Sequence, residues 1–312
     1  MKGSSSELSV SEHKTGYVAL VGPTNAGKST LLNAIVGTKV SIVSAKAQTT
    51  RNRILAAHNT DNSQIIFVDT PGFFRPVKKD LLEKFLLKAV KDGLQDVDAV
   101  VCVCDVTKLV GGKSKVDNFF ENMGKFDIGV PAIIVLNKID KINKPDLLPI
   151  LAALSEKFAG EKVEFIPISA AKNEGLKYLV DAINKIIPVG EPLYPKDSAI
   201  IEDEKFFVSE LVREKVIRLT NQELPYSTAV RIEKWEDRDS LLVIHAAIIV
   251  ERPSQKGIVI GSGGSKLQLI GTQTRVELEN IFGCKVYLEL FVRVEENWTS
   301  KDAAFSRVSV AS

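Results

Sequence analysis

The chain has 312 residues, 45% of them hydrophobic and 26% charged, and carries a net charge of +2; that is enough for about two domains, each with its own core. No apolar run approaches the roughly 20 residues of a membrane span and no signal-peptide core opens the chain, so a cytoplasmic or equivalent location is expected. Three cysteines exclude a disulfide framework. His13, His58 and His245 stand too far apart for metal-ligand spacing. Residues 1–195 sum to +4 and residues 196–312 to −2. Neither half has the broad basic footprint of a nucleic-acid binder, no DNA partner is expected, and an RNA claim has to rest on a local motif.

Residues 1–14 are polar and Ser-rich and read as a disordered tail. The apolar run Tyr17 to Val21 then leads into Gly22-Pro23-Thr24-Asn25-Ala26-Gly27-Lys28-Ser29 and on into Thr30. Strand, glycine-bounded loop and helix in that order make a P-loop, whose backbone N–H groups cradle phosphates at the positive end of a helix. Lys28 reaches the outer phosphates and the Ser29 hydroxyl holds Mg²⁺.

From there apolar strands alternate with helices: strands at Gln64–Val68, Val97–Cys104, Ala132–Leu136 and Val163–Ile168, helices from Lys28, around Leu81–Val90, near Val116–Met123, and at Pro145–Phe158 and Leu176–Ile187. Continuous apolar strands between helices predict an α/β fold, a mostly parallel sheet covered on both faces. Cys102 and Cys104 alternate inside one such strand and read as reduced core residues. Ligands in such sheets sit beyond the carboxyl ends of the strands, so the residues just after each strand are the informative ones.

Asp69-Thr70-Pro71-Gly72 follows one strand; Asp69 would hold the metal through water and the Gly72 N–H would sense a γ-phosphate. Asn137-Lys138-Ile139-Asp140 follows another, and Ser169-Ala170 a third. A carboxylate such as Asp140 accepts two hydrogen bonds, and guanine presents two adjacent donors where adenine has no such pair; an unanswered buried carboxylate costs about 1–3 kcal/mol. Lys138 would cover the base with its stem and the Ala170 N–H would meet the guanine carbonyl. The polar segment Ser44 to Arg53 is expected to be a mobile loop that offers Thr50, with Thr49 its rival, to the metal only when the γ-phosphate is present.

Phe73 stands where many small GTPases place the glutamine that orients the attacking water, and it cannot do that job. Hydrolysis should then be slow without another group, a backbone carbonyl or a partner to position the water. Asn25 has two readings: an asparagine here ligates K⁺ in cation-activated GTPases, and an asparagine also simply fixes a loop.

At Ile187 to Pro195 a Pro/Gly linker breaks helix and sheet alike. Beyond it, Phe207, Val208, Leu211, Val212, Val216 and Leu219 mark an amphipathic helix with Glu202, Asp203 and Glu204 at its positive end. Strands follow at Thr228–Ile232 and Leu241–Val250, and Val286, Leu288, Leu290, Val292 and Val294 alternate on one face of a last strand. Between them Gly261-Ser262-Gly263-Gly264, preceded by Ile260 and followed by Lys266 and a helix, fits the Gly-x-x-Gly loop with which KH domains clamp single-stranded RNA. Arg252, Lys256, Lys266 and Arg275 against Glu251 make this stretch +3 inside an acidic half.

With these motifs in place the chain resembles the Era-type GTPases, which join a GTPase domain to a carboxyl-terminal, smaller α+β KH domain of the second type. The resemblance runs from Gly16 to about Trp298 and rests on the P-loop through Asn33, on Lys46 to Arg51, Asp69 to Gly72, Asn137 to Asp140, Ile168 to Ala170, Glu223-Leu224-Pro225-Tyr226-Ser227, and Val259 onward. It implies a tail at 1–14, a GTPase domain at 15–188, a linker at 189–203, a KH domain at 204–300 and a tail at 301–312. It also implies a GTPase switch, dependent on Mg²⁺, that binds GTP and GDP and the 3′ end of small-subunit (16S) ribosomal RNA and promotes assembly of the 30S particle, with some peripheral association with the inner membrane and a bacterial cytoplasm or an organellar equivalent as its compartment. The competing reading is a GTPase whose second domain docks protein or membrane. Two departures stand out. Pro23 to Ala26 replaces the usual Arg-Pro-Asn-Val, and the Gly-x-x-Gly loop carries no lysine, a role Lys266 is placed to fill.

Overall fold

A computed structural model describes residues 12–41, 54–70, 97–123, 130–196, 198, 201, 203–220, 228–296 and 298. The expected helix around Leu81–Val90, the loop containing Thr49 and Thr50, residues Pro71, Gly72 and Phe73, the stretch Glu223 to Ser227, residues 1–11 and the tail at 301–312 lie outside these residues. The tail expected at 1–14 ends earlier than that, because the His13 carbonyl accepts from the Gly190 N–H at 3.0 Å and Lys14 already belongs to the first strand.

Residues 14–167 build a six-stranded sheet in the order β2-β3-β1-β4-β5-β6. The strands are β1 (Lys14–Val21), β2 (Ile54–Asn59), β3 (Ser63–Asp69), β4 (Ala99–Asp105), β5 (Ala132–Asn137) and β6 (Val163–Pro167). All neighbours run parallel except β2 and β3. Four described helices cover the sheet: α1 (Lys28–Val36), α2 (Lys113–Met123), α3 (Lys144–Lys157) and α4 (Leu176–Ile186). Successive strand residues point to opposite faces, and here both faces are covered. Val18 and Leu20 of β1 pack with Leu31, Ile35, Leu179 and Ile183 from α1 and α4. Their neighbours Ala19 and Val21 pack with Val116, Ile150 and Leu154 from α2 and α3, together with Cys102 and Cys104. The two thiols are buried and unbridged, as expected of core residues.

β2 is not legible in the sequence. Its residues Ala56, Ala57, His58 and Asn59 are weak strand formers, and only pairing with β3 through the turn at 60–62 makes them one. The strand order reverses direction of growth at β1, so the carboxyl ends of β1, β3 and β4 open onto the crevice where such sheets bind ligands.

The second unit is a three-stranded sheet, β7 (Thr228–Arg238), β8 (Leu241–Val250) and β9 (Lys285–Val294), with β7 antiparallel and β9 parallel to β8. Three helices belong to it: α5 (Glu204–Leu219), α6 (Pro253–Ile260) and α7 (Ser265–Phe282). Val212, Val216, Val259, Ile270 and Leu278 face the alternating row Val286, Leu288, Leu290, Val292 and Val294, as the period of two predicts. Asp203 caps α5, accepting from the Lys205 N–H at 2.9 Å. β7 runs six residues past its expected end because a bulge between Ile232 and Lys234 breaks the alternation that marks a strand. α6 is hidden in the same way, since Gly257 in its middle weakens the helical signal. The Gln255 carboxamide starts that helix by accepting from the Glu251 and Arg252 N–H groups at 2.9 and 3.0 Å.

The segment expected to be a linker is tied down along the β2–β3 edge. Gln64, 1% exposed, accepts from the Leu193 and Tyr194 N–H groups at 2.8 and 3.0 Å and donates to the Tyr194 carbonyl at 2.8 Å. Asn59 donates to the Lys196 carbonyl and Ile201 to the Leu55 carbonyl. A Gln64→Leu change would take away the partner of two partly buried N–H groups and one carbonyl. We expect it to cost about 2–4 kcal/mol of stability, read as a lowered urea midpoint with the slope preserved.

Candidate functional site: a phosphate loop, a base-binding edge and a glycine loop

The loop from Gly22 to Ser29 joins β1 to α1. Gly22 has φ 140°, and a Cβ there would lie 2.3 Å from the Val103 carbonyl oxygen of β4, a backbone atom that cannot yield. Asn25, at the exposed tip, has φ 62°, a left-handed conformation that asparagine tolerates better than most residues. Gly27 has φ 98°, and its missing Cβ makes room for Asn137 Nδ2 at 2.3 Å from where it would stand.

Lys28 folds back into this loop. Its Nζ donates to the carbonyls of Gly22 and Pro23, both at 3.0 Å. Burial pushes its pKa down to about 8 against the pull of Asp69. An ammonium hydrogen-bonded to two carbonyls, with α1 beginning beside it, is a receptor for negative charge.

Asp69, at the end of β3, is fully buried and its carboxyl is pushed up by that burial, against the Lys28 charge and two hydroxyls. Ser29 and Ser41 both donate to its Oδ2, at 2.9 and 2.8 Å, while Oδ1 has no hydrogen-bond partner among the described residues. An orphaned carboxylate oxygen beside a hydroxyl and a phosphate loop fits the donor set of a hard divalent cation. Thr70 is itself held by donating its hydroxyl to the Leu20 carbonyl at 2.7 Å. Sequence reasoning does not find Ser41; it belongs to no motif, and only the return of the chain after α1 brings it to Asp69.

The base-binding edge is stapled by Asn137, which is buried at the end of β5. Its Nδ2 donates to the Ala26 carbonyl at 2.9 Å, and its Oδ1 accepts from the N–H groups of Lys138 at 2.8 Å and Ala170 at 3.0 Å. Three loops therefore meet on one side chain, and the Ala170 N–H that the sequence assigns to a guanine carbonyl is engaged with Asn137. Lys138, in a left-handed conformation at φ 70°, stretches its stem across the edge to the Asn25 carbonyl and Asp105 Oδ2, both at 2.6 Å. Against the push of burial, bonds from Lys138 and Thr107 hold the Asp105 carboxyl below its usual range. Asp140 is half-buried, and the Ser169 hydroxyl, donating to its Oδ1 at 2.6 Å, lowers its pKa. A fixed, ionised carboxylate with its second oxygen clear of that bond suits a pair of adjacent ring donors.

In the second unit Gly261, Ser262, Gly263 and Gly264 form a tight turn between α6 and α7. A Cβ on Gly261 would stand 2.8 Å from the Lys266 Cβ, whereas Gly263 and Gly264 border open space, with φ of 57° and 82°. Ser262 and Gly263 are exposed, so the backbone itself is offered. Arg252 is the N-cap of α6, Lys256 lies one turn on along it, and Lys266 lies in the first turn of α7. Ile260 closes α6 half-buried. Arg275 is set apart: it lies almost three turns along α7 and pairs with Glu279 at 3.1 Å.

The chain matches the model of the 50S ribosome-binding GTPase family over residues 17–138 and that of the KH domain over residues 223–299. It is 41% identical over 295 residues to GTPase Era of Lacticaseibacillus paracasei, spanning 94% of this chain and 96% of the relative. It is 42% identical to GTPase Era of Lactobacillus helveticus, over 95% of this chain and 96% of that one. A crystal structure of Era with MgGDPNP and nucleotides 1506–1542 of 16S ribosomal RNA superposes with a TM-score of 0.87 at 41% identity, over 95% of this chain and 98% of the other. A point variant of Aquifex aeolicus Era bound to GDP and AlF4⁻ gives the same TM-score, identity and coverage.

Proposed function

Because this chain belongs to the Era GTPase family, we propose that it is a GTP-driven switch in small-subunit ribosome assembly, hydrolysing GTP to GDP and phosphate and holding the 3′ end of 16S ribosomal RNA on its KH domain. The carrying observation is that a phosphate loop, a guanine-type carboxylate and a Gly-x-x-Gly turn between two helices occur in one chain that matches Era along nearly its whole length. In this reading residues 15–188 are the GTPase domain, 189–203 the connection and 204–300 the RNA-binding domain.

Lys28 neutralises the β- and γ-phosphates and the loop N–H groups from Gly22 to Thr30 cradle them. Asp140 takes the two guanine donors, while Asn137 holds the loops that frame the base and Lys138 covers it. Ser29, and Asp69 through water, are the described residues that would hold Mg²⁺, which would supply positive charge to the phosphates when bound; Thr50 would join them as a ligand, and the Gly72 N–H would sense the γ-phosphate. Attack is by water, so the protein contributes positioning and charge stabilisation. With Phe73 unable to orient the water, a K⁺ ion on Asn25 is part of the proposal; its loop-fixing role is independently favoured by the left-handed backbone there. Hydrolysis measured in potassium and in sodium buffer should be faster in potassium, and equal rates would remove the ion.

Arg252, Lys256 and Lys266 steer the RNA phosphates to the turn at Gly261 to Gly264, with Ile260 toward the bases and Arg275 at the margin. None of the described helices is long and apolar enough to cross a membrane; association with the inner membrane, if measured by flotation on anionic vesicles, would be peripheral. The deciding experiment is cross-linking to the 16S 3′ end in GTP-analogue, GDP and empty states at two salt concentrations. Strong cross-links that weaken with salt are expected. RNA binding in no state would favour the reading in which the second domain docks protein.

A further inference from the structure

The segment from Lys39 to Ser41 touches both halves of the molecule, and no motif includes it. At one end the Ser41 hydroxyl donates to Asp69 Oδ2 at 2.8 Å, with Ser41 itself 1% exposed. At the other, Lys39 Nζ ion-pairs with Glu214 of α5 and, at 2.6 Å, with Glu277 of α7. Lys215 closes the cluster on Glu277, and Arg218 adds a contact to Glu214 at 3.4 Å. Glu214 and Lys215 are almost wholly buried, so the cluster is anchored away from solvent, while Lys39 and Glu277 are 21% and 26% exposed and Arg218 59%.

The two ends are joined rigidly. Asn33 of α1 accepts from the N–H groups of Val40 and Ser41, both at 2.9 Å, and donates to the Ser41 carbonyl at 2.8 Å. The backbone between the lysine and the serine therefore cannot adjust independently of the helix that begins at the phosphate loop.

We infer that Ser41 is a positioning residue for Asp69 and that Lys39, through Glu214 and Glu277, makes the same segment the mechanical link between the nucleotide site and the second domain. Two hydroxyls on Oδ2 fix the carboxylate rotamer and leave Oδ1 free for the cation's water shell. Any shift of Asp69 when that cation arrives pulls on Ser41, and the strut set by Asn33 passes it to Lys39. Glu214 of α5 and Glu277 of α7 then follow, because pulling Lys39 out of the cluster it shares with Lys215 and Arg218 weakens the compensation of the buried Glu214 charge. The inference rests on the GTPase reading of the site and needs no assumption about RNA.

Two variants of the full chain test it. For Ser41→Ala, release of a fluorescent GDP analogue is followed across a magnesium titration and in EDTA. We expect about tenfold more Mg²⁺ to be needed to slow release, with the EDTA rate unchanged, as suits one hydrogen bond to a charged group. An unchanged Mg²⁺ dependence overturns the positioning role, and so does equal weakening with and without the metal. For Lys39→Gln, hydrogen exchange in α5 and α7 is compared between GDP and a GTP analogue. The nucleotide-dependent difference seen in the parent chain should vanish. A difference that persists in the variant, or its absence in the parent chain, overturns the link. Failure to cross-link RNA would sink the RNA reading while leaving both results standing.

Discussion

Replacing Asp140 with Asn should move the protein's preference from guanine to xanthine nucleotides. The carboxylate is ionised and held by the Ser169 hydroxyl at one oxygen. The guanine ring N–H and its exocyclic amino group are both donors, so a carboxamide that must present one NH₂ to them loses one charge-assisted bond and gains a donor-to-donor clash. One such bond is worth about 1.5–3 kcal/mol, and with the clash added the fall in GDP affinity should be about a hundredfold. Xanthine carries a carbonyl where guanine carries the amino group. The Asn amide then donates to that oxygen and accepts from the ring N–H, while its oxygen still serves Ser169. Competition between GDP and XDP for the Asp140→Asn variant checks this directly. A variant that weakens for both nucleotides alike would show that the residue supports the edge rather than reading the base.

Lys28→Ala should abolish nucleotide binding at micromolar concentrations while leaving the fold intact. The side chain is buried, and its ammonium is satisfied by two loop carbonyls rather than by a carboxylate bond. It therefore contributes little to stability, since burial already disfavours its charge and holds the pKa at about 8. Phosphates arriving at the loop would supply the missing counter-charge. Deleting the ammonium leaves carbonyl oxygens facing phosphate oxygens, and an unpaired charge in a closed site costs several kcal/mol. Isothermal titration with GDP, alongside a urea melt, separates the two effects. Lost binding with a near-unchanged midpoint is expected, and a collapsed midpoint would make the lysine a structural element.

The parts of the site that can be read in advance are those where a short run of chain carries its own chemistry. The P-loop needs glycines at close backbone approaches and a lysine at a helix start, and all of these are neighbours in sequence. Asp69 and Asp140 announce themselves because they end apolar strands, and a parallel sheet collects its strand ends on one edge. The turn from Gly261 to Gly264 is equally local.

What stays hidden depends on pairing or on distant contacts. β2 is a strand only because β3 supplies its hydrogen bonds. Gln64 looks like any polar residue in an apolar run, yet it clamps a segment some 130 positions away. The motif around Asn137 does not announce its bonds to Ala26, Lys138 and Ala170, which tie three loops together. Local motifs and the period of apolar residues thus determined, from the sequence by itself, which nucleotide chemistry and which two folds this chain carries. Only the tertiary structure decided how the two are joined, through Ser41, Lys39, Glu214 and Glu277, because a partly buried ion pair between residues 175 positions apart leaves no period, spacing or composition for a sequence to display.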